Sequence, residues 1–101
     1  IKNDLVKSPE APVINYPNPF NPSTTISVYV PETGILKVSI IDILGKEIIT
    51  LHNGWVNEGE SSRKIVWNGL DKYKSQVPGG VYFCIIQNGQ SMVNHKMLML
   101  K

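Results

Sequence analysis

Three prolines within six residues, at positions 17, 19 and 22, restrict the fold of this chain more than any other feature. Each one follows Tyr or Asn. Proline has no backbone N–H and disfavours helical backbone in the residue before it, so residues 17–22 form no helix and cannot all donate to a sheet. We call residues 17–22 the proline segment. We expect it to be ordered, with the strands of one compact β domain beginning after it.

The residues before the proline segment have the composition of a linker. Residues 1–12 carry four charged side chains and two prolines, with little apolar surface to bury beyond Leu5 and Val6. We therefore predict a linker over residues 1–12 and a folded domain over residues 13–101. Because the chain starts at Ile1, we expect it to be a fragment of a longer polypeptide whose signal peptide lies upstream.

Length and charge limit the class of protein. A chain of 101 residues suffices for one domain that buries about two-thirds of its unfolded surface. The net charge is +2, and the basic residues are scattered along the chain, which argues against nucleic-acid binding. No apolar stretch is long enough to cross a bilayer. Cys84 is the only cysteine, so no internal disulfide forms, and we expect it to be a buried apolar residue.

Alternation of apolar and polar residues predicts strands in the first half of the chain. Residues 25–30 and 36–41 alternate, with the inward face formed by Ile26, Val28, Val30, Leu36, Val38 and Ile40. Asp42 to Gly45 supplies turn chemistry, with Asp42 capping its own turn, and residues 46–51 return as the partner strand of a hairpin. A separate short strand starts at Trp55, and His52 is expected near a turn.

Turn signals divide the second half in the same way. A turn at residues 57–60 precedes a strand that ends at Trp67, a predicted core anchor, and Asn68-Gly69 turns the chain. Residues 81–87 are apolar on both parities, which is typical of an interior strand, and Ser91 to Lys101 pairs back on them. About seven strands with regular turns predict an all-β, immunoglobulin-like antiparallel sandwich.

Catalytic and metal-binding signals are missing from the sequence. His52 and His95 are the only histidines, and neither stands in a metal-ligand spacing. No nucleophile elbow, phosphate-binding loop or dinucleotide fingerprint occurs. We therefore predict a non-enzymatic domain without a cofactor.

Five blocks of sequence carry a resemblance to a known family. They are YPNPFNPSTTI, ILKVSIIDILGKEI, WNG, GGVYF and HKMLMLK, in this order. Together they resemble the C-terminal sorting domain of type IX secretion cargo, and they also look like the immunoglobulin-like domain of the flagellar hook-capping protein. We place the sorting resemblance first because the Lys-rich apolar strand closes the chain at Lys101.

The resemblance implies that this domain directs an attached protein across the outer membrane and is then removed by a sortase-like protease. The implied partners are the secretion machinery, that protease and an N-terminal cargo domain. The implied location is the outer membrane, the cell surface or the extracellular space. We expect a monomer. The candidate recognition residues are Pro17, Asn18, Pro19, Lys96, Met97, Leu98 and Lys101. The candidate structural residues are Asp42, Gly45, Trp67, Gly80 and Tyr82.

One departure from the family pattern concerns calcium. The sorting family often shows W-D-G-x-D-x-x-G after the strand that ends here at Trp67, whereas this chain has Asn68 and Lys74 in place of Asp and Gly. Fewer oxygen ligands and a stiffer loop disfavour a calcium ion, so we assign no metal site.

Two other functions remain open at this point. A carbohydrate-binding or spacer module of a secreted hydrolase would use exposed aromatic residues such as Trp55, Tyr73 and Tyr29 to stack on sugar rings. A hook-cap-like scaffold domain would assemble with copies of itself through sheet edges.

Overall fold

The computed structural model describes residues 13–57 and 63–100. These residues form seven strands and no helix. The strands are β1 Val13–Tyr16, β2 Thr24–Val28, β3 Gly34–Ile41, β4 Glu47–Val56, β5 Arg63–Trp67, β6 Gly80–Asn88 and β7 Ser91–Met99. One antiparallel sheet has the strand order β1-β2-β5, and the other has the order β4-β3-β6-β7. The predicted immunoglobulin-like sandwich of about seven strands is confirmed.

The core lies between the two sheets and is built from the alternating residues that the sequence indicated. Every member of the predicted inward face in the first half of the chain is buried: Ile26, Val28, Val30, Leu36, Val38 and Ile40. Strands β6 and β7 contribute Tyr82, Cys84, Ile86, Met97 and Met99. Because successive side chains of a strand point to opposite faces, the remaining parity of each strand faces outward.

The first strand lies before the proline segment, so the expectation that the strands begin after that segment is wrong. β1 pairs with β2 in the register Val13↔Val28 to Tyr16↔Thr25. The chain therefore reverses direction through the prolines. Four residues are too few to display a reliable period, and the strand that pairs with them comes only after the turn.

A single strand replaces the two pieces predicted around Leu51 and Trp55. β4 runs without a break from Glu47 to Val56, because its ladder with β3 continues to the pair Gly34↔Val56. Two register shifts in this ladder bend the strand, and they also disturb the alternation on which the prediction relied. His52 consequently lies within a strand and not near a turn. Residues 58–60 of the predicted turn lie outside the described residues.

All five sequence blocks reach the same end of the sandwich. Strands β1, β3, β5 and β7 end there, and strands β2 and β6 begin there. We call this the motif end and define it by Phe20, Asp42, Trp67, Gly80 and Leu98. The opposite end carries the Asn88–Ser91 turn and the beginning of β1.

Candidate functional site: the proline segment against the last strand

The proline segment lies directly against the end of β7. Phe20 N donates a hydrogen bond to Leu98 O at 3.0 Å, and Leu100 N donates to Phe20 O at 2.7 Å. The side-chain oxygen of Asn18 accepts from Leu98 N at 3.1 Å. The first and last sequence blocks therefore form one continuous surface, although about eighty residues separate Asn18 from Leu98 in sequence.

A buried polar network holds the chain reversal that creates this surface. Thr24 Oγ1 donates to Pro17 O at 2.8 Å, and Asn15 Nδ2 donates to Thr24 Oγ1 at 3.1 Å and to Pro17 O at 3.3 Å. Asn15 and Thr24 are both buried. Buried polar groups are costly unless they are hydrogen-bonded, so these contacts fix where the chain turns.

His95 links the same network to β7. Its Nε2 lies 2.7 Å from Asn15 Oδ1. Because Asn15 Nδ2 faces the Pro17 carbonyl, which only accepts, Asn15 Oδ1 must be the acceptor here and His95 Nε2 carries the proton. Burial lowers the pKa of His95 below its usual value, so the neutral imidazole is favoured. This side chain stabilises the contact between the two sheets.

Three aromatic side chains support the surface from below. The ring centroids of Phe20 and Trp67 are 5.7 Å apart, and those of Trp67 and Tyr82 are 5.4 Å apart with nearly perpendicular planes. Trp67 Nε1 donates to Leu70 O at 2.9 Å, and the Tyr82 hydroxyl donates to Pro78 O. Trp67 is fully buried, which confirms it as a core anchor. Tilted and edge-on pairs of this kind are favourable beyond the area that they bury.

Asp42 organises the neighbouring turn as the sequence predicted. Its Oδ1 accepts from Leu44 N and Lys46 N, both at 2.9 Å, and Gly45 N donates to Asp42 O at 3.0 Å. Gly45 has φ of +83°, a conformation that glycine adopts without strain. Burial, and next the charge of Asp42, raise the pKa of Tyr82. Asp42, Gly80 and Tyr82 border one shallow pocket beside this turn.

A second turn repeats this geometry, which sequence reasoning missed. Asp71 Oδ1 accepts from Tyr73 N and Ser75 N, both at 2.9 Å, and Lys74 N donates to Asp71 O at 2.9 Å. Lys74 has φ of +68° at the position equivalent to Gly45. The signal available in the sequence was Asp71 itself, because an Asp side chain in a turn often accepts hydrogen bonds from backbone N–H groups that follow it. Both Asp side chains bond to backbone N–H groups, and within the described residues no cluster of three potential metal ligands forms.

The candidate recognition residues differ in solvent exposure. Pro17, Asn18, Pro19 and Lys96 are exposed, and Leu98 is 39% exposed. Met97 faces the core and is 1% exposed, as expected for a residue whose neighbours in β7 point outward. Lys101 lies outside the described residues. The structure thus brings Pro17 to Pro19 and Leu98 together at one surface and places Met97 beneath it.

The exposed aromatic residues do not gather into a sugar-binding platform. Trp55 lies near the distal end of β4 and pairs with Ile35. Tyr73 follows Lys72, whose N–H donates to Ile48 O near the start of β4. The seven residue steps from Ile48 to Trp55 span roughly 23 Å of strand. Tyr29 follows β2 in the other sheet.

The residue types Cys, His and Asn of a papain-like catalytic triad occur together at Cys84, His95 and Asn15, but the thiol is not reactive. Cys84 and His95 are direct partners in the β6–β7 ladder, and Asn15 orients His95 as Asn does in papain-like proteases. Cys84 is 0% exposed, however, and burial raises its pKa to about 12. A buried, protonated thiol is not a nucleophile. Cys84 is thus confirmed as a buried apolar residue.

Comparison with known proteins identifies the family. Residues 15–100 match the family model described as the secretion system C-terminal sorting domain. This match includes every block from the proline segment to β7. No curated protein matches the chain.

Solved structures share the fold. One is PorZ, an essential bacterial surface component of the type IX secretion system of Porphyromonas gingivalis, with a TM-score of 0.64 and 20% identity over 88% of this chain and 11% of that one. Another is dimeric latent PorU from Porphyromonas gingivalis, with a TM-score of 0.65 and 20% identity over 97% of this chain and 10% of that one. The chain spans about a tenth of the length of these structures. Within residues 13–57 and 63–100, no helix long and apolar enough to span a membrane occurs. On the strength of the family match across both halves of the sandwich, the chain belongs to the secretion-system C-terminal sorting domains.

Proposed function

We propose that this domain is the export label of an attached protein, read by the type IX secretion machinery during passage across the outer membrane. The observation that carries the proposal is the family match over residues 15–100, combined with the contact between the proline segment and β7. We further propose that a sortase-like protease then separates the label from its cargo at the cell surface.

The reading surface consists of Pro17, Asn18, Pro19, Lys96 and Leu98. All five side chains are exposed or partly exposed. The backbone beneath them is held rigidly by the Phe20 hydrogen bonds and by the buried Asn15 network. A preorganised surface loses little conformational entropy on binding, which favours recognition.

The position of the surface suits a label. A cargo fused ahead of residue 13 joins at the beginning of β1, whereas the reading surface lies at the motif end. Because Asn15 bonds to His95, Val13 lies beside the part of β7 near Val93. The distance from Val93 to Leu100 along β7 is about 23 Å. The attachment point and the reading surface therefore lie toward opposite ends of the sandwich.

The test is a fusion of the full chain to an inert exported reporter in a host with type IX secretion, with surface delivery as the measurement. Deleting the last six residues is a poor variant, because Met97 and Met99 belong to the core. The double variant K96A/L98S changes exposed groups only and should abolish delivery. Its matched control is K64A/V66S on β5, which has the same spacing and also faces solvent.

Delivery of the control and loss of the K96A/L98S fusion, with both domains equally stable, is the expected result. Failure of the unmodified fusion to reach the surface would refute the sorting function itself. Equal delivery of both double variants would leave the sorting function intact and refute the assignment of the reading surface.

A further inference from the structure

We propose that the free edge of β7 at residues 92–96 accepts an extended segment of a partner protein as an added strand. The inference rests on the proposed sorting function, because the partner is a component of the machinery that reads the label. The open edge shares Lys96 with the reading surface but extends from there to Met92, and its contact with the partner is of a different kind, namely backbone hydrogen bonds.

The direction of the backbone groups follows from the ladder on the other side of β7. Asn88 and Ser91 close the two-residue turn between β6 and β7, and the register continues without a shift to Gly80↔Met99. Odd-numbered residues of β7 therefore bond to β6, and even-numbered residues point their N–H and C=O groups away from it. Leu98 and Leu100 obey this parity, since their groups bond outward to Phe20 and Asn18.

The proline segment covers only part of this edge. It satisfies Leu98 N, Leu98 O and Leu100 N. Among the described residues, no backbone or side-chain group bonds to the outward backbone of Met92, Asn94 or Lys96. The open stretch is five residues long, about 17 Å, and is bounded at one end by the proline segment and at the other by the turn.

The other described edges are less suited to strand addition. β4 carries two register shifts in its ladder, and Lys72 N already donates to Ile48 O. β1 and β5 are four and five residues long in all, whereas the open stretch belongs to a regular strand of nine residues. Bulges and short length are devices by which proteins prevent edge pairing, whereas a long and regular edge is a template for it.

Side chains along the open edge indicate the chemistry of the incoming segment. Met92, Asn94 and Lys96 all point to the outer face and are exposed. Within the described residues, no acidic side chain pairs with the Lys96 ammonium. A segment with an apolar residue beside Met92 and an acidic residue beside Lys96 is complementary to this edge. In such strand addition the backbone supplies affinity and alternate side chains supply specificity.

The test removes one outward-pointing backbone N–H group of β7, that of Asn94. Asn94→Pro removes a donor that the fold does not use and places a ring at the edge, whereas the matched control Asn94→Ala keeps the N–H. Both variants are made in the full chain fused to the exported reporter. We expect surface delivery of Asn94→Pro to fall about tenfold or more below that of Asn94→Ala, at equal thermal stability.

Met92→Pro serves as the second variant, because Met92 has the same parity. Normal delivery of either proline variant in a folded state would overturn the inference while the sorting function stands. Failure of the unmodified fusion to be delivered would instead overturn the sorting function. If both proline variants unfold because the ring fixes φ, Met92→Asp serves instead, since it keeps every backbone group and places a charge beside the expected apolar residue of the partner; normal delivery of Met92→Asp would overturn the inference.

A second copy of this chain is the alternative occupant of the edge. Sedimentation of the unmodified chain and of Asn94→Pro over a range of concentrations distinguishes the two cases. We expect both to remain monomeric. A dimer of the unmodified chain that is lost in Asn94→Pro would assign the edge to self-association and overturn the partner assignment.

Discussion

Replacement of Lys74 by glycine should stabilise the domain, because Lys74 occupies a backbone conformation that suits glycine. Its φ is +68°, and the turn around it has the same hydrogen bonds as the Asp42 turn, where Gly45 has φ of +83°. The Lys74 side chain is exposed.

The magnitude follows from two opposing terms. A non-glycine residue in the left-handed region costs roughly 1–2 kcal/mol. Glycine gains more conformational entropy in the unfolded chain, which costs about 0.4–1 kcal/mol. The net expectation for Lys74→Gly is a free energy of unfolding higher by about 0.5–1 kcal/mol. For a domain of this size, that corresponds to an increase in Tm of about 2–8 °C.

Thermal and urea unfolding followed by circular dichroism measure the effect. Lys74→Ala is the matched control, because it removes the side chain and keeps the backbone cost, so its stability should equal that of the original chain. Gly45→Ala is the converse variant. Its added Cβ meets no atom within 4 Å, so only backbone strain acts, and it should destabilise by about 1 kcal/mol. A lower Tm for Lys74→Gly, with Lys74→Ala lower as well, would show that side-chain contacts outweigh the backbone term and would refute this reasoning.

Three further predictions concern His95, Cys84 and Trp67. The free energy of unfolding should fall as pH drops below the usual histidine pKa of 6.5, because the unfolded chain takes up a proton before the half-buried imidazole of His95 does. His95→Gln should flatten this dependence, and identical pH profiles of the two proteins would contradict it. Cys84 should react with a thiol reagent only in denaturant, since burial raises its pKa to about 12, so rapid labelling of the native domain would be the contrary result. Trp67→Phe should lower the free energy of unfolding by about 2–3 kcal/mol, because it leaves a cavity and removes the hydrogen bond to Leu70 O. Urea titration measures this effect, and a change below the experimental error would show that the site repacks.

Local features of the domain were predictable from its residues. The buried faces of β2 and β3 follow from strict alternation, which Ile26 and Val28 illustrate on β2. The Asp42 turn follows from an Asp and a glycine at the right spacing. Both signals arise from neighbours within a few residues, where backbone sterics and side-chain period suffice.

The sequence blocks also indicated the family, and the family match confirms it. Composition did not contribute to that result, since scattered charges and one cysteine fit many small domains. The ordered recurrence of turn and aromatic residues indicated the family, because these residues occupy positions that few other types satisfy.

Contacts between distant parts of the chain were decided only by the tertiary structure. The short β1 strand, the uninterrupted β4, the bond between His95 and Asn15, and the pairing of Phe20 with β7 all depend on partners far away in sequence. Residue patterns report which face of a strand is buried, but they do not report which backbone groups remain unpaired after the sheets assemble. The covered and open parts of the β7 edge therefore follow from how the proline segment folds back onto the last strand, since only that packing determines which N–H and C=O groups still face solvent.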